Sequence, residues 1–372
     1  MQNNIHIASV WRNPMKFQKT NLPIYLLFFL VVCLCIYSAI LSQQIEAIKP
    51  SDNYLESLPF KSDRTADIQA MLENGVCNLG PGDFYVSNLK MPANSALSGS
   101  GNCTRLILLD SEDSKYAIKL SSFCTVQDLM ILGSVESISP NETVGNRHGI
   151  LFEGKADKDK ENRPEMCTID NCIIRDFSGG GITCRNTGYS YLASLEVSNC
   201  SIIRCDAGIN IDYFSEFHHF SNVSTNRCYY GCINNGGNNM FSNCSFDGNK
   251  LAFLIDNSDG GAPNNTHGSA IGCTFNHSGN NKGTGIKITN TKNGFIFSGC
   301  QVFFSQIDLK DTQGIVFDAC NFGRSEKISI ENGGTILFDG CLYGTPPEVS
   351  VRNNEHVEFI NCSTRDGNNI IG

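Results

Sequence analysis

The chain has 372 residues, 41% hydrophobic and 17% charged, with 35 Gly against only 11 Pro, so neither a disordered tail nor a collagen-like polymer fits. Residues 1–41 hold Arg12, Lys16 and Lys19 and no acid, which moves the formal charge of the remainder from −9 to −12. A net-acidic domain without a basic tract excludes nucleic acid as a partner, because phosphate neutralisation takes clustered Lys and Arg.

In chain order, the first feature is residues 22–41 (LPIYLLFFLVVCLCIYSAIL), twenty residues without a charge. That is the length a helix needs to cross a hydrocarbon layer of about 30 Å. The run is too long for the apolar core of a secretory signal and lacks a small-x-small cleavage pair, which favours an uncleaved signal anchor over a cleaved signal. Basic residues before it and Glu46, Asp52 and Glu56 after it place the amino terminus inside by the positive-inside rule. The expected organisation is a cytoplasmic segment (1–21), a transmembrane anchor (22–41), a linker (42–63) and an extracytoplasmic domain (64–372). Such a compartment permits disulfides. Cys205 with Cys228, and Cys77 with Cys103, are the candidate pairs.

Residues 67–74 (DIQAMLEN) predict a short amphipathic helix with Ile68 and Leu72 on one face, suited to capping a stack of coils. Thereafter one phrase returns: IDNCII around Cys172, VSNCSI around Cys200, FSNCSF around Cys244, AIGCTF around Cys273, and onward to Cys300, Cys320, Cys341 and Cys362. FSNVST puts Val223 in the Cys position, and VQDLMI puts Leu129 there in an earlier rung; from Cys172 the steps run from 20 to 29 residues. A second phrase follows each first one: GILFEG, GITCRN, GINIDY, AFLIDN, GIKITN, QIDLKD, KISIEN and EVSVRN. All alternate apolar and polar, the period of a half-buried strand.

A unit this short cannot bury its apolar face alone, whereas stacked copies close a continuous core. The expected fold is an all-β parallel β-helix solenoid with an N-terminal capping helix, preceded by the transmembrane helix. Ile182, Ile209, Phe253, Ile286, Ile307, Ile328 and Val349 are predicted to form one inward column and the Cys series another, a packing ladder suited to a small, polarisable side chain. Asn171, Asn199, Asn222, Asn243 and Asn361 are expected to stack at a turn and satisfy backbone groups.

With Asp67-Ile68-Gln69, Gly82-Asp83-Phe84-Tyr85-Val86, Met91-Pro92 and Leu97-Ser98-Gly99-Ser100-Gly101 at its start, the array resembles the pectate-lyase-like superfamily of single-stranded right-handed parallel β-helices, over residues 64–372. The resemblance implies the fold and a polysaccharide partner. It does not choose among lyases, hydrolases, epimerases, tailspikes and adhesins. The Asn-Thr-Asp, Asp-Asp and Gly-His-Gly signatures of polygalacturonase-like hydrolases and the Asp-Pro-His element of alginate epimerases are missing.

Candidate site residues come from counting outward from the inward column. Three residues on lie Glu153, Arg185, Asp212, Asp256, Thr289, Lys310, Glu331 and Arg352. Asp212 and Asp256 fall two coils apart, about 9–10 Å between backbones, close to the carboxyl spacing an inverting glycosidase uses. They are the candidate catalytic pair, with Arg185, Lys287, Tyr213 and His218 as substrate-binding candidates and no metal ligands assigned. No cofactor is expected; a Ca²⁺ bridge enters only if the substrate is a uronate polymer, which the −12 charge repels. Two readings stand: a membrane-anchored β-helix that binds and cleaves or modifies a polysaccharide, and a non-catalytic adhesive or structural surface module. Self-association through the C-terminal coil is a further expectation, because an uncovered coil exposes unpaired backbone.

Overall fold

A computed structural model describes residues 54–59, 61–133, 139–154, 164–186, 192–258, 266–278, 283–323, 327–354 and 356–370. The expected membrane span at 22–41 lies outside them; among the described residues no helix is long and apolar enough to cross a membrane. The helix Thr65–Glu73 buries Ile68 and Leu72 at the start of the stack, as its spacing predicts.

Each coil then repeats three strands. Glu165–Asp170, Ile173–Arg175 and Gly180–Asn186 make one coil; Leu192–Ser198, Ser201–Ile203 and Ala207–Ile211 make the next, and every strand pairs in parallel with its counterpart one coil away. The third strands form an eleven-stranded sheet, here the front sheet, running from Leu89–Lys90 to Glu348–Arg352. Its register aligns Ile118, Ile150, Ile182, Ile209, Cys232, Phe253, Ile286, Ile307, Ile328 and Val349. The predicted column is therefore present, with two rungs more than the repeated phrases show: Tyr116–Leu120, which carries Ile118, and Tyr230–Asn234, whose Cys232 sits where its neighbours carry Ile or Phe.

The corners are set by chemistry local to each residue. The position before each Cys of the ladder, and before Leu129 and Val223 in its place, adopts positive φ: Asp128, Asn171, Asn199, Asn222, Asn243, Gly272, Gly299, Ala319, Gly340 and Asn361. Asn, Asp and Gly tolerate that conformation best, which is why the repeat reads Asn/Gly-Cys. The amides bond sideways to acceptors on the preceding coil and not to backbone: Asn171 Nδ2 to Asp128 Oδ1 at 2.6 Å, Asn222 Nδ2 to Asn199 Oδ1 at 3.3 Å. Immediately inside the turn, Cys244, Cys273 and Cys300 are buried in successive layers, each Sγ donating to a carbonyl of the coil before, at 3.4, 3.4 and 3.2 Å. Phe297, Phe317, Phe338 and Phe359 stack beside the ladder with ring centroids 4.6–4.9 Å apart, one coil spacing.

The described cysteines are free thiols. Cys205 and Cys228 do lie on adjacent coils, with the Cys205 N–H 3.4 Å from Cys228 Sγ, but remain unbonded. The other candidate pair is not brought together: Cys77 is buried opposite Leu97, and Cys103 is exposed.

Candidate functional site

The outer surface of the front sheet is built from two rows of side chains. One position after the inward column stand Lys119, Leu151, Thr183, Asn210, Ile233, Leu254, Lys287 and Asp308 in register. Leu151, Thr183 and Leu254 are buried although they point outward, so they form a floor beneath longer neighbours. Three positions after the column runs the charged row. Arg185 pairs laterally with Glu153, and Asp256, Thr289, Lys310, Glu331 and Arg352 follow in order. Asp212 and Asn235 fill the two rungs between Arg185 and Asp256, because Ile211 and Asn234 are paired just before them. The expected two-coil separation of Asp212 and Asp256 is thus present, with Asn235 Oδ1 accepting from the Asp256 N–H at 2.9 Å.

The first half of this row is tightly organised. Glu153 accepts from Lys119 Nζ at 2.5 Å and from Arg185 Nε at 2.7 Å. Burial pushes the Glu153 carboxyl up, and the hydrogen bonds from Lys119 and Arg185 outweigh it and hold it below the usual range. Asp212, next in the row, has the opposite balance. Burial pushes it up to about 6, against the charge of Arg185 and the Asn186 backbone N–H, with Glu153 adding to the rise. A carboxyl that keeps its proton close to neutrality, beside a second carboxylate, is the pairing from which an acid and a base are assigned.

Three side chains that outward counting alone leaves out complete the margin. Tyr116 lies beside His148 in register, and burial and the Glu153 charge raise its hydroxyl pKa. His148 is 4% exposed; its Nδ1 accepts the Gly180 N–H at 3.1 Å and lies 2.9 Å from Thr183 Oγ1, and its Nε2 has no partner among the described residues. Burial, helped by Arg185, pushes His148 down to about 4, so it stays neutral. Tyr230 occupies the same row further along and packs on Tyr229 with centroids 4.8 Å apart, and the Glu142 charge acts on both rings. Residues 139–147 are fastened at that side by the Asn141 and Gly145 N–H groups, which donate to Asp206 at 2.8 and 3.1 Å. A surface cavity of about 590 Å³ opens there, lined by Asp110, Ser111, Glu112, Lys115, Asn146 and Arg147.

Of the remaining candidates, Lys287 is on the outer face between Leu254 and Asp308. Tyr213 is exposed next to Asp212, edge-on to Phe214 at 5.3 Å. His218, a substrate-binding candidate in the sequence, does not reach the surface. It is fully buried, with Nδ1 accepting from the Leu195 N–H at 3.1 Å, Nε2 2.8 Å from Ser215 Oγ, and its ring edge-on to Phe152. Phe214 and Phe217 both take positive φ, which breaks the strand alternation and turns His218 inward. Among the described residues no group of three or more His, Cys, Asp or Glu side chains is arranged to hold a metal ion.

No protein-family model matches the sequence, and no curated protein is significantly similar to it. Solved structures do share its architecture. The A-module of a mannuronan C-5 epimerase from Azotobacter vinelandii superposes with a TM-score of 0.56 at 14% identity, over 82% of this chain and 91% of its own. Tailspike protein 2 of the Escherichia coli O157:H7 bacteriophage CAB120 superposes at 0.54 with 16% identity, over 84% of this chain. The match spans only 42% of that tailspike's length. The catalytic domain of a GH87 α-1,3-glucanase, in complex with tetrasaccharides, reaches 0.50 at 13% identity, over 85% of this chain and 68% of its own. At such identities the likeness is one of fold, and with the parallel register and repeating corners it gives this chain the right-handed parallel β-helix fold.

Proposed function

We propose that the front sheet binds an extended glycan across its outer face and cleaves or otherwise modifies it, with Asp212 as proton donor and Asp256 as the partner carboxylate. The observation that carries the reading is the Asp212 carboxyl, pushed up to about 6 in one row with Asp256 two rungs away. That separation, about 9–10 Å between backbones, leaves room for a water on the far side of a sugar ring. Ile233, above the buried Leu151 and Leu254, offers an apolar surface to a ring face; Tyr230 and Tyr213 offer aromatic edges, and Arg185, Lys287 and Asn235 offer donors to hydroxyl groups. Mannuronan epimerase, α-1,3-glucanase and tailspike neighbours support a polysaccharide as the partner.

The reading includes the anchor at residues 22–41, with the β-helix on the extracytoplasmic side. Protease protection of the domain in sealed vesicles tests that placement. A panel of neutral and acidic glycans, with and without Ca²⁺, tests the function. Release of reducing ends or of unsaturated or epimerised sugars, lost in Asp212→Asn, supports it. Binding that survives Asp212→Asn without any turnover by the parent chain favours the non-catalytic surface module instead.

A further inference from the structure

The second corner of each coil, between the short strand and the front sheet, carries a local reversal of charge. Asp176, Arg204 and Arg227 take the same corner position on three successive coils, directly after Arg175, Ile203 and Asn226, which are in register. All three adopt positive φ, at 69°, 53° and 56°. That conformation suits Asn or Gly, as at the Cys corner, and disfavours a long side chain, so the turn itself does not call for arginine. Asp176 is 7% exposed and takes one guanidinium on each oxygen: Arg175 Nε donates to Oδ2 at 2.8 Å and Arg204 Nε to Oδ1 at 2.6 Å. Both contacts use Nε. The Nη groups of the two partly exposed arginines donate no hydrogen bond among the described residues and are left for another acceptor.

The third arginine sets this corner apart from the Lys119–Glu153–Arg185 pairs, where one carboxylate also sits between two cations. Arg227 is exposed, has no partner among the described residues, and follows Arg204 on the next coil with no acid between them. Like charges on neighbouring rungs repel unless an anion lies between them. The acids that follow in the chain are turned elsewhere: Asp206 accepts the Asn141 and Gly145 N–H groups, and Asp247 Oδ1 lies 3.2 Å from His277 Nδ1. Three guanidiniums against Asp176 leave this corner positive, although residues 42–372 together carry −12. Guanidinium groups fork onto pairs of oxygens. Three of them, from coils about 4.8 Å apart, present more donors than a planar carboxylate can accept, whereas a tetrahedral anion offers an oxygen edge to each. We propose that Arg175, Arg204 and Arg227 form a binding site for a tetrahedral oxoanion, a sulfate or phosphate group, either free or carried as an ester on a glycan. The site does not depend on Asp212 or Asp256, and its occupancy requires no turnover on the front sheet.

The test is isothermal titration of the full chain in mild detergent with sulfate, phosphate and acetate at fixed ionic strength, and with dextran sulfate against dextran. Sulfate or phosphate should bind saturably, and acetate about tenfold more weakly or worse. Arg227→Gln should weaken oxoanion binding about tenfold or more, the worth of a charged hydrogen bond. Because Arg227 holds no contact in the fold, that loss is not a folding defect. Arg227→Lys keeps the charge without the fork and should recover only part of the affinity. Arg105→Gln removes the same charge from an exposed pair with Asp83 and should change nothing. Dextran sulfate that binds more tightly than sulfate and is displaced by it assigns the site to an ester on a glycan; no gain over the free ion assigns it to the free ion. No saturable binding of any oxoanion, acetate bound as well as sulfate, an Arg227→Gln chain that binds like the parent, or an equal loss in Arg105→Gln overturns the proposal.

Discussion

The charged row on the front sheet is one structural position repeated, yet its two halves differ. At Glu153 the ion pairs measure 2.5 Å to both Lys119 and Arg185, and the Glu153 side chain is 11% exposed. At Glu331 the pairs to Lys310 and Arg352 measure 3.8 Å, and the Glu331 side chain is 37% exposed. The inward column and the sheet register are the same in both halves, so the backbone cannot cause the difference. The connections to the next coil do differ: ten residues separate Gly154 from Glu165 and eleven separate Asp256 from Gly268, against two between Thr312 and Ile315 and two between Gly333 and Ile336. The two longest of these connections follow the strands that carry Glu153 and Asp256, and functional residues gather beside such insertions.

The largest effect separates the halves by chemistry. Asp212→Asn should lower glycan turnover by about 10²–10⁴-fold, the range of a lost general acid, and Asp256→Asn should do comparably. Lys310→Ala, in the same row, should leave turnover unchanged. Equal losses in all three variants would mean that the row acts as a scaffold only.

Stability separates them next. Glu153→Gln leaves Lys119 and Arg185 without their shared carboxylate in a partly desolvated setting and should cost about 2–3 kcal/mol in urea unfolding, toward the low end for a broken buried pair because Arg185 keeps some solvent.

Titration sharpens the contrast further. In the unfolded chain Asp212 ionises near pH 4, whereas in the fold it ionises at about 6. Between those values the native state holds the extra proton, so stability falls as pH rises from about 4 to about 6 and is flat on either side. The drop should be on the order of 2 kcal/mol and should vanish in Asp212→Asn, which makes the variant more stable than the parent at pH 7 but not at pH 4.

Much of this could be read from residue spacing. The Cys phrase, the positive-φ residue before it and the inward column follow from alternation and from turn chemistry, both of which are local. Arg185, Asp212 and Asp256 are legible because they share one offset from that column. Lys119 is not, since no repeated phrase marks its rung and its partner Glu153 lies 34 residues away in sequence. Tyr116, His148 and Tyr230 stand before the column, in a row that counting forward never reaches. The burial of His218 is hidden for the opposite reason: two positive-φ phenylalanines reset the alternation, and aromatic residues seldom announce such a turn. The rung at Cys232 escaped because Cys and Asn replaced the aliphatic residues that make the phrase visible.

The smallest effect is the most discriminating control. Glu331 is exposed enough, and its pairs long enough, that water and salt screen most of its attraction to Lys310 and Arg352. Glu331→Gln should therefore change unfolding stability by less than about 0.5 kcal/mol, and raising the salt concentration should shrink even that. Because Glu153 and Glu331 hold the same place in their coils, any larger cost at Glu331 would mean that the ladder itself, and not the desolvation beside the long connections, makes the carboxylate matter.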